Sequence, residues 1–497
     1  MRGAWRVADV RAAEEQLMRT LPPGALMQRA ATGLARRCAV LLGERGGVYG
    51  SRVGVLVGGG NNGGDALFAA AQLAARGAQA QAVLLRPQRV HAEGLAAFRR
   101  AGGRVVDELA WSTVDLVLDG IVGIGASGPL QGAAAETVEA LNAVAHTGSG
   151  PVVVAVDVPS GVDVDTGAVE GPAVRADVTV TFGCLKPALV VGPAVPLAGQ
   201  VDLVDIGLSL VDIEPAVRVP DFADVAGWWP LATPPSDKYT RGVAGLATGS
   251  AGFPGAALLS VAGALAGPAG MVRYAGPVAL DVVRAHPSVV VSDSVAATGR
   301  VQAWLVGCGL GTDARARAEL RAVLAAPVPV VVDADALTLA GEPEVQDLLR
   351  ARTAPTVLTP HDREYARVAG ETVGSDRVAA AVRLARRLGA VVLLKGDRTV
   401  VAAGDGRAWV NPSGSPVLAT AGTGDVLAGL LVSLLAAGVS PEWAALGAAY
   451  AHGLAGRAAA ERYVLSDPSG FTVAPVTAPD VAAALPKVIG SLSALTH

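Results

Sequence analysis

Hydrophobic positions in the N-terminal half of the chain follow two periods in turn. Residues 8–19 carry a short helical pattern, and Pro22-Pro23 opens a second predicted helix from Gly24 to Leu42. In that helix Leu26, Ala30, Leu34, Cys38 and Leu41 recur at spacings of four, four, four and three, which places them on one face. Short Val-rich runs then alternate with helical segments: RVGVLVG (52–58), AQAVLL (80–85), VDLVLDG (114–120), VVVAVDV (152–158) and DVTVTF (177–182). Continuous apolar runs separated by amphipathic helices predict a parallel sheet covered on both faces.

The texture changes from about Pro215 to Ser236. VPDFADVAGWWPLATPPSD shows neither helical nor strand period and reads as a linker and the entry to a second domain. The α/β alternation then resumes with VAGLAT (243–248), AWLVG (303–307), VPVVVDA (328–334), TVLTP (356–360) and AVVLLKG (390–396). Two helices are predicted near the end, Thr423 to Ala437 and Pro441 to Arg462, followed by a weakly patterned tail. The expected organisation is α/β throughout, with domains at residues 1–215 and 225–490.

Composition narrows this picture. A chain of 497 residues is long enough for two or three domains. Hydrophobic residues make up 51% but aromatics only 4%, so the cores must be built from Ala, Val and Leu. The formal net charge is −4 and there is no basic run, which gives no support for nucleic acid or an anionic membrane as partner. Cys38, Cys184 and Cys308 form no CxxC pair, which argues against a disulfide framework and for a reducing compartment. MRGAWRVADVRAAEE lacks the apolar segment of a secretory signal, so a cytoplasmic location is expected. The uncharged stretch Gly242 to Val272 is rich in Gly, Ala and Pro. It reads as a buried strand, a Gly-rich loop and a buried helix rather than a membrane span.

Candidate chemistry in the first half lies in three loops that follow strands. GGGNNGGDAL (58–67) opens a helix, where backbone N–H groups and the helix dipole face an anion together. It is neither GxGxxG nor a P-loop, and Asp65, expected on the first helical turn, would repel a phosphate. Alone, this loop can also be read as a tight turn with Asp65 as N-cap. VLDGIVGIGASGPLQG (117–132) and AVDVPSGVDVDTG (155–167) add Asp119, Asp157 and Ser160. Ligands of open parallel sheets bind beyond the carboxyl ends of the strands, so the three loops should converge.

Together, NNGGD, DGIVGIGASGP and VDVPSGVDVDTG resemble the NAD(P)H-hydrate epimerase family, the YjeF N-terminal domain, over roughly residues 5–213. The usual NNGGDG is NNGGDA here, with Ala66. The resemblance implies a Rossmann-like three-layer α/β/α domain with a potassium ion on Asn62, Asp119 and Ser160. It further implies that Asn61, Asn62, Gly63, Gly64 and Asp65 hold a hydrated nicotinamide nucleotide. The same role falls to Gly123, Ile124, Gly125, Ala126, Ser127, Gly128, Pro129 and Asp157. The residue types agree, since a hard cation takes carboxamide, carboxylate and hydroxyl oxygens. Epimerising the hemiaminal carbon needs proton transfer while that centre opens, or loses hydroxide, and re-forms from the other face. Asp157 is the candidate acid–base.

In the second half, ATAGTGDVLAGLL (419–431) places Gly422, Thr423 and Gly424 directly before a helix, where their N–H groups collect negative charge. Asp425 in the first turn is set to accept a proton from a substrate hydroxyl, or serves merely as an N-cap. LLKGDRTVV (393–401) brings Lys395, suited to a nucleotide's phosphates, to a strand end. LTPHDREYARV (358–368) brings His361 and Glu364 to a helix start. With SDKYTRG (236–242), GCGLGTD (307–313) and VVDADAL (331–337), these segments resemble the ribokinase-like ADP- or ATP-dependent NAD(P)H-hydrate dehydratases, the YjeF C-terminal domain, across about residues 225–490. The usual LTPHPGE reads LTPHDRE, with Asp362 and Arg363. The resemblance implies that Ala256, Gly309, His361 and Asp425 contact the hydrate, with Asp425 as base. Lys395, Gly396, Asp397, Arg398, Thr399 and Gly424 would face the adenine nucleotide, bound with Mg2+.

The combined expectation is a bifunctional repair enzyme that interconverts the R and S hydrates of NADH and NADPH and dehydrates the S form at the expense of ADP or ATP. A homo-oligomeric state is expected. The competing readings are a ribokinase-like small-molecule kinase with an N-terminal nucleotide-binding module, and a first domain that only binds ligand.

Overall fold

The computed structural model describes residues 1–125, 128–148, 150–462 and 474–494. Its strands in chain order are β1 (Arg2–Ala4), β2 (Arg52–Val57), β3 (Gln79–Leu84), β4 (Arg104–Val105), β5 (Leu116–Gly120), β6 (Val152–Val156), β7 (Val178–Phe182), β8 (Gln200–Val204) and β9 (Val217–Val219). They continue as β10 (Val243–Ala247), β11 (Met271–Ala275), β12 (Val290–Ser292), β13 (Ala303–Val306), β14 (Val330–Val332), β15 (Thr356–Leu358), β16 (Val391–Leu394), β17 (Val400–Ala402) and β18 (Ala408–Val410). The chain divides into two compact units, Gly3–Val217, and Met1–Arg2 with Arg218–His497.

In the first unit a seven-stranded sheet has the order β4-β3-β2-β5-β6-β7-β8, and its neighbours are parallel. Strand period two explains why the sheet is covered on both sides. Val53, Val55, Val57, Leu116 and Leu118 face one core with Leu34, Cys38, Leu67 and Leu73 of the helices Ala25–Gly43 and Asn61–Ala74. Leu56, Val117 and Val153 face the other, with Val138 and Leu141 of the helix Ala133–Ala145. These are the three layers of a Rossmann-like fold. The strand order reverses between β2 and β5, where such sheets bind ligands.

In the second unit the strands run β9-β18-β17-β16-β15-β14-β13-β10-β11-β12. From β16 to β12 the neighbours are parallel, while β17 is antiparallel to β16 and β18. The uncharged stretch is β10, the helix Pro254–Ala266 and the start of β11. That helix packs backbone to backbone on the helix Thr423–Ala436. A Cβ on Gly263 would lie 2.1 Å from the Val426 carbonyl oxygen, and one on Gly429 2.0 Å from that of Ser260. Only glycine permits this approach, and it fixes the start of the second helix over the sheet.

Two expectations of irregular structure are corrected. The Pro-rich segment contains β9 and the helix Phe222–Trp228, closed by an Asp221–Asp224 capping box. Its Trp229 is buried in the second core, so packing supplies the order that periodicity does not show. The tail contains the helix Ala478–Ala494, which carries Pro486 internally and buries Val481, Leu485, Val488 and Leu492.

Candidate functional site

At the carboxyl end of β5, Asp119 is completely buried. Ser160 donates to it through both N–H (2.8 Å) and Oγ–H (2.6 Å), and the Ile121 N–H lies at 3.3 Å. All these partners are neutral, and burial pushes the carboxyl up to about 6 against those hydrogen bonds. Ser160 Oγ also accepts from Val122 N–H at 3.0 Å, tying two of the three loops together. Asn62 joins them, because a Cβ on Gly123 would come 2.7 Å from Asn62 Oδ1. Its buried Nδ2 has no partner among the described residues. A dry carboxylate with only neutral partners, one of them a hydroxyl, fits a hard monovalent cation.

A charged cluster forms around Asp157. Asp157, the first residue after β6, is left-handed at φ +69°. Its Oδ1 accepts from Thr181 Oγ1 (3.0 Å), Phe182 N (3.2 Å) and Lys186 Nζ (2.5 Å). Lys186 is 1% exposed. Asp65 is buried and its Oδ1 has no partner among the described residues. Burial first, then Asp157 and Glu14, push its carboxyl well above the usual carboxylate range. Asp65 is not on the first helical turn. The helix begins at Asn61, and Gly60, at φ +88°, is its N-cap, which makes Asp65 the fifth residue. It therefore does no capping, and its side chain is left to the site. Ala66 is fully buried, and a Cβ on Gly120 would come 2.6 Å from the Ala66 Cβ. The departure from NNGGDG is thus absorbed by a glycine opposite.

Gly63 and Gly64 are buried beneath the loop, whereas Asn61 is exposed at its tip. Gly125 and Ile124 pass close to Arg11, whose guanidinium donates to the Ile124 carbonyl at 3.2 Å. Gly128 is left-handed at φ +80°, ahead of the exposed Pro129, and Ala126 and Ser127 lie outside the described residues. Lys186 and Glu14 were not singled out by sequence reasoning. Lys186 follows β7, so extending the strand-end rule to one more strand finds it. Glu14, on the N-terminal helix, has no such signal.

In the second unit Gly422, at φ +87°, is the N-cap of the helix Thr423–Ala436, and Asp425 lies in its first turn without capping it. Thr423 Oγ1 pins the turn by donating to the Leu418 and Thr420 carbonyls (2.8 and 3.0 Å). Asp425, Asp333 and Cys308 bring their ligand atoms within 4.8 Å of one another. Burial, then repulsion from Asp333, pushes Asp425 up to about 7, while the Cys308 thiol and Lys395 oppose the rise.

Lys395 is ion-paired. Its Nζ lies 2.8 Å from Asp333 Oδ1 and 3.4 Å from Glu364 Oε2. Burial works against its charge, but the two carboxylates outweigh that and hold it above the ordinary lysine range. A Cβ on Gly424 would sit 3.8 Å from this ammonium, so the lysine stands at the mouth of the helix N-terminus. His361 is the N-cap of the helix Asp362–Ala369, its Nδ1 accepting from Arg363 N and Glu364 N (3.1 and 3.3 Å). Glu364 closes that capping box and also faces Lys395. Asp362, absent from the usual motif, pairs with Arg377, which donates to the Lys395 carbonyl at 2.9 Å. Thr399 Oγ1 donates to the Gly396 carbonyl (3.0 Å), Arg398 Nη1 to that of Pro412 (2.5 Å), and the exposed Asp397 flanks Arg398 at 3.6 Å.

Ala256 and Gly309 meet directly. Gly309 is left-handed at φ +59°, and a Cβ there would lie 2.6 Å from the Ala256 Cβ. Beside them opens a cavity of about 550 Å3 lined by Ser250, Gly252, Leu310, Thr312, Asp313 and Arg315. Asp333 and Cys308 lay in segments noted in the sequence, but neither was assigned a role.

Two family models match the chain: one described as YjeF-related protein N-terminus over residues 23–188, the other as NAD(P)H-hydrate dehydratase over residues 244–471. The chain is 52% identical over 441 residues to the bifunctional NAD(P)H-hydrate repair enzyme Nnr of Mycobacterium tuberculosis, covering 88% of this chain and 90% of that protein. The Mycobacterium leprae protein of the same name is 51% identical over 454 residues, covering 91% and 93%. Among solved structures, the ADP/ATP-dependent NAD(P)H-hydrate dehydratase of Bacillus subtilis, co-crystallised with ATP and Mg2+, is similar at 30% identity and a TM-score of 0.49. It covers 56% of this chain and 99% of that one. The chain, a Rossmann-like α/β/α unit followed by a second α/β unit, belongs to the family of bifunctional NAD(P)H-hydrate repair enzymes.

Proposed function

We infer that this chain epimerises the R and S hydrates of NADH and NADPH in its first unit, and dehydrates the S hydrate in its second with ADP or ATP. The observation that carries the reading is the pairing, in one chain, of two sites with a carboxylate beyond the carboxyl ends of parallel strands. Asp157 follows β6 and pairs with a buried lysine, and Asp425 stands at a glycine-rich helix N-terminus.

In the first unit Asp157 takes the proton of the ring hydroxyl. The carbon–nitrogen bond opens, its electron pair remains on the ring nitrogen conjugated to the carboxamide, and re-closure from the other face returns the proton to oxygen. Asn62, Asp119 and Ser160 would hold potassium, which supplies positive charge that draws the three loops and the anionic nucleotide together. Asn61 to Asp65 and Gly123 to Pro129 would line the nucleotide.

In the second unit Asp425 takes the hydroxyl proton as that oxygen attacks the terminal phosphoryl of ADP or ATP, releasing AMP or ADP. Phosphate then leaves with the carbon–oxygen pair, and loss of a proton from the neighbouring ring carbon restores the dihydronicotinamide. Backbone N–H groups at Thr423 and Gly424 take up charge on the phosphoryl, and Mg2+ would neutralise the nucleotide phosphates. Lys395, held by Asp333 and Glu364, adds positive charge at that helix mouth. Ala256, Gly309 and His361 would contact the hydrate, and Gly396 to Thr399 the nucleotide.

Three buried free cysteines support a reducing, cytoplasmic setting, and a homo-oligomer is part of the proposal. Among the described residues no helix is long and apolar enough to cross a membrane. The test supplies full-length protein with both hydrate epimers and ADP or ATP with Mg2+, and follows recovery of dihydronicotinamide absorbance. Complete recovery is expected with at least one nucleotide. Conversion of no more than the S fraction refutes the epimerase, and no recovery refutes the dehydratase.

A further inference from the structure

We propose that Lys186 is the positioning residue of the epimerase site: it anchors one oxygen of Asp157 and leaves the other to exchange protons with the hydrate. The proposal rests on the reading of Asp157 as the acid–base group.

The geometry is asymmetric. All three donors that reach the Asp157 carboxylate converge on Oδ1: the Thr181 hydroxyl at 3.0 Å, the Phe182 N–H at 3.2 Å and the Lys186 ammonium at 2.5 Å. No hydrogen bond to Oδ2 is made by the described residues, so the lone pairs that carry proton transfer lie on that oxygen. Lys186 is itself saturated. Its ammonium has three N–H groups, and it reaches Asp157 Oδ1, Thr181 Oγ1 (2.9 Å) and the Phe182 carbonyl (2.9 Å). It is 1% exposed, so it does not touch substrate and acts only through Asp157.

The charge has a second consequence. Asp157 shares its surroundings with two further carboxyls, Glu14 on the N-terminal helix and Asp65 on the helix after β2, and with the buried Cys184 thiol beside Lys186. Arg11, one turn from Glu14, acts on that residue. Among these groups Lys186 is the cation in direct contact with Asp157. Lys186 therefore orients the base and sets a positive charge against its anchored oxygen. A left-handed Asp157, at φ +69°, holds the side chain toward β7, where these donors lie.

The test uses full-length protein without nucleotide and measures R-to-S interconversion by chiral separation, for wild type, K186M and K186Q, from pH 6 to 10. K186M removes charge and donors, while K186Q keeps an amide donor. The expected result is a fall in kcat of about 10²–10³-fold in K186M with KM changed less than threefold. The pH profile should move upward in both variants, because the ammonium in contact with Asp157 is lost. A wild-type kcat and pH profile in K186M overturns the proposal. Equal losses in kcat and in substrate binding with an unmoved pH profile also overturn it, since that pattern belongs to general loss of structure.

Nucleotide-dependent repair of pure S hydrate by each variant reports that the chain is folded. If K186M fails that check, K186Q decides by the same criteria; if both fail, T181V, which removes the hydroxyl that shares Oδ1, must lower kcat without moving the pH profile. If wild type itself does not interconvert the hydrates, the functional reading fails, and Lys186 is judged separately. Aspartate labelled with 13C at Cγ is titrated by NMR, with the Asp157 signal assigned by its loss in D157N. An upward displacement of that titration in K186M or K186Q supports the pairing, and an unchanged one refutes it.

Discussion

Replacing Asp425 by Asn should make the protein both less active and more stable, and the stability gain should depend on pH with a definite sign. The carboxyl rises from its ordinary value near 3.8 to about 7, through burial first and the nearby Asp333 second. Folding thus costs free energy wherever the unfolded chain would ionise this group and the native site resists. The native contribution is intact below pH 4, declines as pH rises, and reaches its full loss just above pH 7. Roughly three pH units at about 1.4 kcal/mol each set a ceiling near 4 kcal/mol. Asp425 is partly exposed, so about 2–4 kcal/mol is expected. The helix N-terminus favours a carboxylate over an amide by only about 0.3–1 kcal/mol, too little to reverse the sign. D425N should therefore gain about that much over wild type at pH 8, with the difference shrinking toward zero near pH 4. Urea unfolding followed by tryptophan emission is a suitable assay, because Trp228, Trp229, Trp304, Trp409 and Trp443 all belong to the second unit. In the same preparation nucleotide-dependent repair should fall about 10²–10⁴-fold while epimerisation persists. A D425N protein no more stable than wild type at pH 8 refutes the electrostatic account, and near-normal repair removes Asp425 as base.

Four further outcomes follow from the same geometry. Single-turnover repair should rise with pH between 6 and 8, since Asp425 must be ionised to act as base. C308A, which removes a thiol donor opposing the rise, should move that profile upward; a profile flat across the range in wild type argues against Asp425. Hydrate binding should be tighter in potassium than in tetramethylammonium, and D119A should abolish the difference; equal wild-type affinity in the two salts refutes the cation site. E364A, which opens the capping box at His361 and removes one partner of Lys395, should cost about 1–2 kcal/mol in urea unfolding and lower repair, whereas unchanged values would make the cap and the ion pair incidental. Fragments 3–217 and 218–497 should each fold by circular dichroism; two insoluble fragments would show that the units need one another.

Much of this protein is written locally in its chain. Runs such as VVVAV and VVLL become buried parallel strands because both faces of the sheet are covered, and no partner needs to be known to predict that. Asp425 in a helix's first turn is equally local, since Gly-Thr-Gly before an apolar helical run starts a helix whatever surrounds it. The three strand-end loops were legible because parallel topology sends every such loop to one edge. What tertiary structure alone decided is which side chains meet across those loops. Lys186 reaches Asp157 across 29 residues, and Lys395 reaches Asp333 across 62, because strand order, not sequence distance, sets neighbours. Burial then turns those meetings into chemistry. Asp65 escaped its expected place when Gly60 took the cap, and Lys395 gained two carboxylate partners that its motif does not show. Periodicity also missed β9 and the helix at Trp228, whose order comes from packing against the second core. Charge and desolvation are properties of the assembled site, and a one-dimensional pattern does not contain them.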